Sequence, residues 1–120
     1  MAQIRRYFKD LIAAVDFLHG VAGVVHRDIK PENIMLDACD TAKLVDFGVC
    51  LVLDGGSDLI EDTQGSQLFF APEMCGEGGK FHAKKCDIWA AGVTLWKMVF
   101  DRHPFESTNS STCLLVLQKA

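Results

Sequence analysis

Residues 26–33 of the chain read HRDIKPEN, and residues 46–48 read DFG. These two stretches decide how the whole sequence is interpreted, because their polar residues follow neither the helical nor the strand pattern of apolar residues. Packing therefore gives little reason for these residues, whereas a functional site does. Four polar side chains are the candidates for such a site: Asp28, Lys30, Asn33 and Asp46.

A short hairpin is predicted between the two stretches. Apolar runs at residues 33–36 and 42–45 flank the turn-forming residues 37–41, which predicts two antiparallel strands joined by a five-residue loop. With the loop centred between residues 39 and 40, we expect Asn33 to lie opposite Asp46. The candidate side chains then meet at one open edge of the hairpin.

The chemistry of these side chains points to phosphoryl transfer. Carboxylate and amide oxygens suit Mg²⁺, which keeps several waters and is commonly completed by substrate phosphates. Asp46 would hold the metal on the phosphates, and Asn33 would take a second metal. Asp28 would accept the proton of an incoming hydroxyl. Lys30 would neutralise charge on the transferred phosphoryl group.

Two helices are predicted on either side of this centre. Apolar residues recur with helical spacing over residues 4–18, and Gly20 and Gly23 follow as stop signals. A second helix is predicted over residues 83–100. Because this helix is apolar on nearly every side, we expect it to be buried all round.

The remaining segments are less regular. Residues 46–82 carry seven glycines without a sustained period, which predicts a long irregular segment of the kind that is usually functional. A turn at residues 101–105 and a polar stretch at 107–111 precede a third predicted helix.

Composition restricts the class of protein. The chain has 120 residues, 49% of them hydrophobic and 23% charged, and 12 basic against 16 acidic residues give a net charge of −4. These values predict one soluble globular domain that does not bind nucleic acid. No signal peptide is apparent, and the longest apolar stretch, 88–96, is too short to cross a membrane. The five cysteines have neither zinc nor disulfide spacing, so we expect reduced thiols in a cytoplasmic or nuclear protein.

The motifs together resemble those of the eukaryotic protein kinases. The HRD motif with its later Asn, the DFG motif and the APE motif at residues 71–73 appear in the family's order, with Ile29 in place of the usual Leu. The resemblance implies a protein-kinase-like fold. The chain would be part of the C-terminal lobe of that fold, mainly α with one short β-hairpin. Lys30, two residues after Asp28, is the pattern of serine/threonine kinases.

The resemblance also implies roles for further residues. ATP and Mg²⁺ would be the cofactors, with Lys30, Asn33 and Asp46 binding them. Arg27 pairs with a phosphate on the activation segment in many relatives, and the segment here would be residues 46–73. Candidate residues of that segment are Ser57, Thr63, Ser66 and Glu73, with Ser66 beside the acceptor hydroxyl. Structural support would come from His26, Arg27, Phe47, Gly48 and Asp87.

A finer resemblance concerns the calcium/calmodulin-dependent kinase kinases. Residues 46–50, 64–73 and 87–95 look like the corresponding parts of that subgroup. The substrate that this resemblance implies is a protein, with another kinase as the candidate, and calmodulin is the candidate regulator; other serine/threonine groups stay open.

Parts of a complete kinase domain are not found. The Gly-rich loop, the strand Lys and the helix Glu of the small lobe are missing, as are the last helices, which carry the usual Arg partner of Glu73. We therefore expect residues 1–120 to be a partial kinase domain, inactive alone and belonging to an active parent. Alternatives are a non-catalytic interaction module that uses residues 65–73, and a small-molecule phosphotransferase.

Overall fold

The first helix ends at a left-handed glycine. In the computed structural model, which describes residues 1–75 and 79–104, helix α1 spans Ala2–Phe17 and continues as a wider π-helical turn over Leu18–Ala22. Gly23 follows with φ 67°, a conformation that glycine adopts without steric cost. The stop at Gly23 is confirmed, whereas Gly20 lies inside the turn and does not end it.

Three antiparallel strand pairs are present in the described residues. The strands are β1 Val24–Val25, β2 Ile34–Leu36, β3 Ala42–Leu44, β4 Leu51–Val52, β5 Leu59–Ile60 and β6 Phe81–His82. β2 pairs with β3 in the predicted hairpin, the only hairpin among the described residues, whereas the two pairs between distant strands, β1 with β4 and β5 with β6, were not predicted. Two-residue strands are too short to show an alternating pattern, and their partners are distant in sequence.

The register of the hairpin differs by one residue from the expected one. The pairs are Ile34 with Leu44, Met35 with Lys43 and Leu36 with Ala42. Asn33 therefore lies opposite Val45, whose N–H donates to its carbonyl at 2.9 Å, and not opposite Asp46. The loop sets this register, because the Asp37 carboxylate accepts two backbone N–H groups, one of them from Thr41. These bonds, the Thr41 N–H foremost, lower the pKa of Asp37.

The core lies between α1 and the second long helix, α2, which spans Ala83–Phe100 as predicted. Its buried members are Leu11, Val15, Ile29, Phe69, Ala90, Ala91 and Val93. The expectation that α2 is buried all round was wrong, because Ile88, Trp96 and Phe100 are 40–52% exposed. Its buried face, with Ala90, Ala91 and Val93, belongs to the core that it shares with α1. The third predicted helix lies outside the described residues.

Cys39, Cys50 and Cys86 are free thiols, the Cys75 thiol donates to the Ala71 carbonyl at 3.5 Å, and Cys113 lies outside the described part. Cys39 is exposed, Cys50 and Cys75 are half-buried, and Cys86 is buried. Burial raises the pKa of the Cys86 thiol to about 12, so this residue behaves as a small apolar group. Among the described helices, none has the length and apolar character that a bilayer crossing requires.

Candidate active site

A buried carboxylate on α2 fixes the start of the 26–33 loop. Asp87 is 2% exposed and accepts hydrogen bonds from the backbone N–H groups of His26 and Arg27, both at 2.9 Å. The His19 ring, in the π-helical turn after α1, donates to the same carboxylate at 2.8 Å. Because each oxygen of the buried carboxylate is satisfied, Asp87 links α1, the loop and α2 without an orphaned charge.

His26 joins the loop to the hairpin. The ring is fully buried, its Nδ1 accepts the Asp28 N–H at 3.1 Å, and its Nε2 donates to the Val45 carbonyl at 2.9 Å. These partners place the ring proton on Nε2. The ring also contacts Phe47 edge-to-face, with centroids 5.0 Å apart. His26 thus packs against Phe47, and both of its ring nitrogens are used in hydrogen bonds, which leaves none for proton transfer.

Asp28, Lys30 and Ser66 form a compact hydrogen-bonded group. The Ser66 hydroxyl donates to Asp28 Oδ1 at 2.9 Å and accepts from Lys30 Nζ at 2.8 Å. The second carboxylate oxygen, Oδ2, lies 3.8 Å from Lys30 Nζ and 3.3 Å from Asn33 Nδ2. Carboxylate and ammonium together hold one hydroxyl here, and Oδ2 keeps room for another donor because both of its contacts are long.

Asn33 is orientated by the same loop. Its Nδ2 donates to the Asp28 carbonyl at 2.7 Å and to the Asp28 carboxylate, and the side chain is buried. With the amide nitrogen used in this way, Oδ1 is the atom that faces away from Asp28. An amide oxygen is a ligand that Mg²⁺ accepts.

Asp46 comes after β3, at the end of the hairpin where Asn33 precedes β2, but its side chain is separate from the Asp28 group. Its carboxylate is exposed, Oδ1 accepts the Gly48 N–H at 3.2 Å, and its φ of 63° turns the chain. The expected direct pairing of Asn33 with Asp46 is not formed, because of the register difference. In the described ranges 1–75 and 79–104, no three His, Cys, Asp or Glu side chains cluster as a metal site. The oxygens available as metal ligands are Asn33 Oδ1 and Asp46 Oδ2. Such hard oxygens suit Mg²⁺, whose coordination shell is completed by phosphates and water.

The segment after residue 48 returns to the 26–33 loop near residue 65. Arg27 donates from Nε to the Val49 carbonyl at 2.7 Å and from Nη1 to Asp62 at 3.2 Å. Gly65 has φ 108°, and a Cβ at this position would lie 2.2 Å from the Arg27 carbonyl oxygen, so only glycine fits. The segment therefore contacts both the side chain and the backbone of Arg27.

The other candidate residues of this segment differ in exposure. Ser57 and Thr63 are exposed, whereas the Ser66 hydroxyl is held by Asp28. Glu73 is exposed in a 3₁₀ turn over Pro72–Met74.

Comparison with known proteins agrees with these features. Residues 1–119 match the family model described as the protein kinase domain. The chain belongs to the protein kinase family. A probable serine/threonine-protein kinase of Dictyostelium discoideum is 38% identical over 108 residues, which are 89% of this chain and 15% of the relative. CBL-interacting protein kinase 30 of Oryza sativa is 44% identical over 88% of this chain and 22% of its own length.

A third relative extends the comparison to fungi. Serine/threonine-protein kinase ssp1 of Schizosaccharomyces pombe is 36% identical over 117 residues, which are 90% of this chain and 18% of that kinase. The chain thus spans about a fifth of the length of the curated relatives it matches. The Dictyostelium and Schizosaccharomyces relatives are named as serine/threonine kinases, which is the class that Lys30 predicts for this chain.

Sequence reasoning missed three polar residues that hold the catalytic loop, residues 26–33, or the activation segment in place. His19 contacts Asp87, Asp62 contacts Arg27, and Asp58 accepts hydrogen bonds from the His82 ring and the Lys84 N–H, both at 2.9 Å. Burial alone would raise the pKa of Asp58, but the hydrogen bonds from His82 and Lys84 outweigh burial, so the pKa lies below its usual value. Polar residues without a periodic pattern were the signal in each case, but nothing in the sequence identifies partners 24 to 68 positions away.

Proposed function

We propose that the protein transfers the γ-phosphoryl group of ATP to a serine or threonine hydroxyl of a protein substrate. The observation that carries this proposal is the Ser66 hydroxyl, which donates to Asp28 and accepts from Lys30. The two side chains therefore already bind a hydroxyl of the acceptor class. A base and a cation placed together around a hydroxyl are what phosphoryl transfer to an alcohol requires.

The roles follow from the contacts. Asp28 accepts the proton of the acceptor hydroxyl at Oδ2, where its present contacts are 3.3 and 3.8 Å long. Lys30 lies beside that oxygen and neutralises charge on the transferred group. Asn33 fixes Asp28 through its amide nitrogen. Asn33 and Asp46 supply the oxygen ligands for Mg²⁺, which when bound neutralises the phosphate oxygens of ATP.

We also propose that residues 1–120 form the catalytic-loop part of the C-terminal lobe within a longer kinase. The relatives support this, because the matched region is 15–22% of their length. ATP binding then uses a further lobe, and these residues alone are inactive. The substrate is a protein, and the resemblance to the calcium/calmodulin-dependent kinase kinases makes another kinase the candidate. A regulatory protein is part of the proposal, since one relative is named as CBL-interacting.

The test is phosphate transfer by the complete protein with labelled ATP, Mg²⁺ and a panel of Ser/Thr peptides. Replacing the base in Asp28→Asn is expected to lower kcat by about 10²- to 10⁴-fold. Asp16→Asn, an exposed site on α1, is the matched control and is expected to leave kcat unchanged. A near-normal rate in Asp28→Asn would contradict the proposed function. Transfer to a small molecule, or peptide binding without transfer, would favour the alternatives.

A further inference from the structure

The N-terminus of α2 is capped by Asp58, a residue of the activation segment that is distant from the helix in sequence. Within the described ranges, His82, the residue directly before α2, makes no side-chain cap bond. Instead the Ala83 N–H donates to the Asp58 carbonyl and the Lys84 N–H donates to the Asp58 carboxylate, both at 2.9 Å. These are the first two N–H groups of the helix, for which the helix itself has no acceptor. Asp58 therefore takes the place of an N-cap residue.

The start of α2 is too buried for water to replace these bonds easily. Ala83 is 1% exposed and the Asp58 side chain is 17% exposed. A buried backbone N–H without an acceptor costs free energy, and a carboxylate at a helix N-terminus is also favoured by the helix dipole. The other carboxylate oxygen of Asp58 accepts from the His82 ring at 2.9 Å. Both oxygens of Asp58 are thus used to bind the activation segment to the start of α2.

The same end of α2 holds the catalytic loop. Asp87, one turn into the helix, accepts the two backbone N–H groups at the start of that loop. From Asp58 the activation segment continues through β5, which pairs with β6 just before α2, to Ser66, which donates to Asp28. The space that an acceptor hydroxyl must enter therefore lies between two segments, one bound to α2 by Asp87 and the other by Asp58.

We infer that Asp58 is a positioning residue for the protein acceptor, because it fastens the activation segment to the N-terminus of α2. This inference rests on the proposed function. Without the cap, the segment leaves α2 in a fraction of the molecules, and an acceptor peptide binds only the remainder. The apparent affinity for the peptide falls by that fraction. The proposed Mg²⁺ ligands, Asn33 and Asp46, lie outside residues 58–66, so ATP binding is not affected.

Hydrogen exchange of the complete protein tests the cap without relying on activity. Asp58→Ala is expected to accelerate exchange in residues 58–66 and 81–86 roughly 2- to 30-fold, the range for loss of an N-cap. Asp58→Asn keeps an acceptor oxygen for the Lys84 N–H and should stay within about twofold of wild type. Asp54→Ala, the same change at an exposed carboxylate of the same segment, is the matched control. An Asp58→Ala protein that exchanges like Asp54→Ala, or an Asp58→Asn protein that exchanges like Asp58→Ala, overturns the inference.

Phosphate transfer from ATP to a Ser/Thr peptide gives the functional measurement. In Asp58→Ala the KM for the peptide is expected to rise at least about threefold, with kcat and the KM for ATP unchanged, and Asp58→Asn should restore the peptide KM. An unchanged peptide KM in Asp58→Ala, or a fall in kcat alone, overturns the inference. Absence of Asp28-dependent transfer in wild type would instead contradict the proposed function, and the exchange result would still decide whether Asp58 fastens the segment to α2.

Discussion

Asp87→Asn tests whether the buried carboxylate on α2 positions the catalytic loop. The carboxylate accepts three hydrogen bonds: Oδ2 takes the His26 N–H and the His19 ring, and Oδ1 takes the Arg27 N–H. Asparagine keeps one acceptor oxygen, which serves the two donors at the Oδ2 position. The new NH₂ group then faces the Arg27 N–H, so that one charge-assisted bond is lost and two donors oppose each other.

The magnitude follows from the chemistry of that single bond. Losing a hydrogen bond to a charged group at a buried site costs about 1.5–3 kcal/mol. Because every 1.4 kcal/mol is a factor of about ten, local opening that exposes the Arg27 amide should become roughly 10- to 100-fold more frequent. The same opening displaces Asp28, so the phosphotransfer rate should fall together with the protection of the amide.

The assay is hydrogen exchange of peptides that cover residues 24–33, measured in the complete protein under conditions where exchange reports the opening equilibrium. Asp16→Asn, which makes the same chemical change on the exposed face of α1, is the control. An acceleration below about threefold in Asp87→Asn relative to Asp16→Asn would refute the reasoning. In that case the loop would keep its conformation without the third hydrogen bond.

Two further predictions concern the activation segment. Gly65→Ala places a Cβ 2.2 Å from the Arg27 carbonyl oxygen, at a φ of 108°. The melting temperature and the activity should therefore both fall. Gly20→Ala is the control for the melting experiment and should be tolerated, because no heavy atom lies within 4 Å of its added Cβ. The pKa of Asp58 is lowered from 3.8 in the folded protein, so its contribution to stability is complete above that pH and is lost as the pH falls through the folded value. Acid unfolding of wild type should therefore be steeper below pH 3.8 than that of Asp58→Asn, and equal slopes would contradict this.

The sequence predicts the parts of this fold that depend on local patterns. Helical spacing placed both ends of α2 and the main part of α1, and turn-forming residues placed the β2–β3 hairpin. The register was missed by one residue because side-chain bonds to the loop backbone, made by Asp37, set the centre of the turn. A pattern of apolar residues does not contain that information.

The candidate site likewise consists of residues that the sequence predicts and of contacts that it does not. Motif spacing identified Asp28, Lys30 and Asn33, which the structure brings together on one loop. Asp46 was expected to join them, but its carboxylate lies one position further along the edge and bonds to its own turn. The contacts with Asp62 and the β1–β4 and β5–β6 pairs depend on how a long segment returns to the loop. Such long-range pairing is decided by tertiary structure and not by local propensity.

Backbone strain is concentrated where local preference and function disagree. Among the described residues, four that are not glycine have positive φ: Arg27, Asp40, Asp46 and Asp101. Asp40 lies in a hairpin loop and Asp101 at the end of α2, places where a left-handed aspartate is ordinary because its short side chain tolerates that conformation. Arg27 has no such tolerance, and it precedes the proposed base. Its conformation must therefore be maintained by Asp87 on one side and by Val49 and Asp62 on the other. The position of Asp28 is for that reason a property of the assembled α2, loop and activation segment, and a change in any of the three should reach the reaction through Arg27.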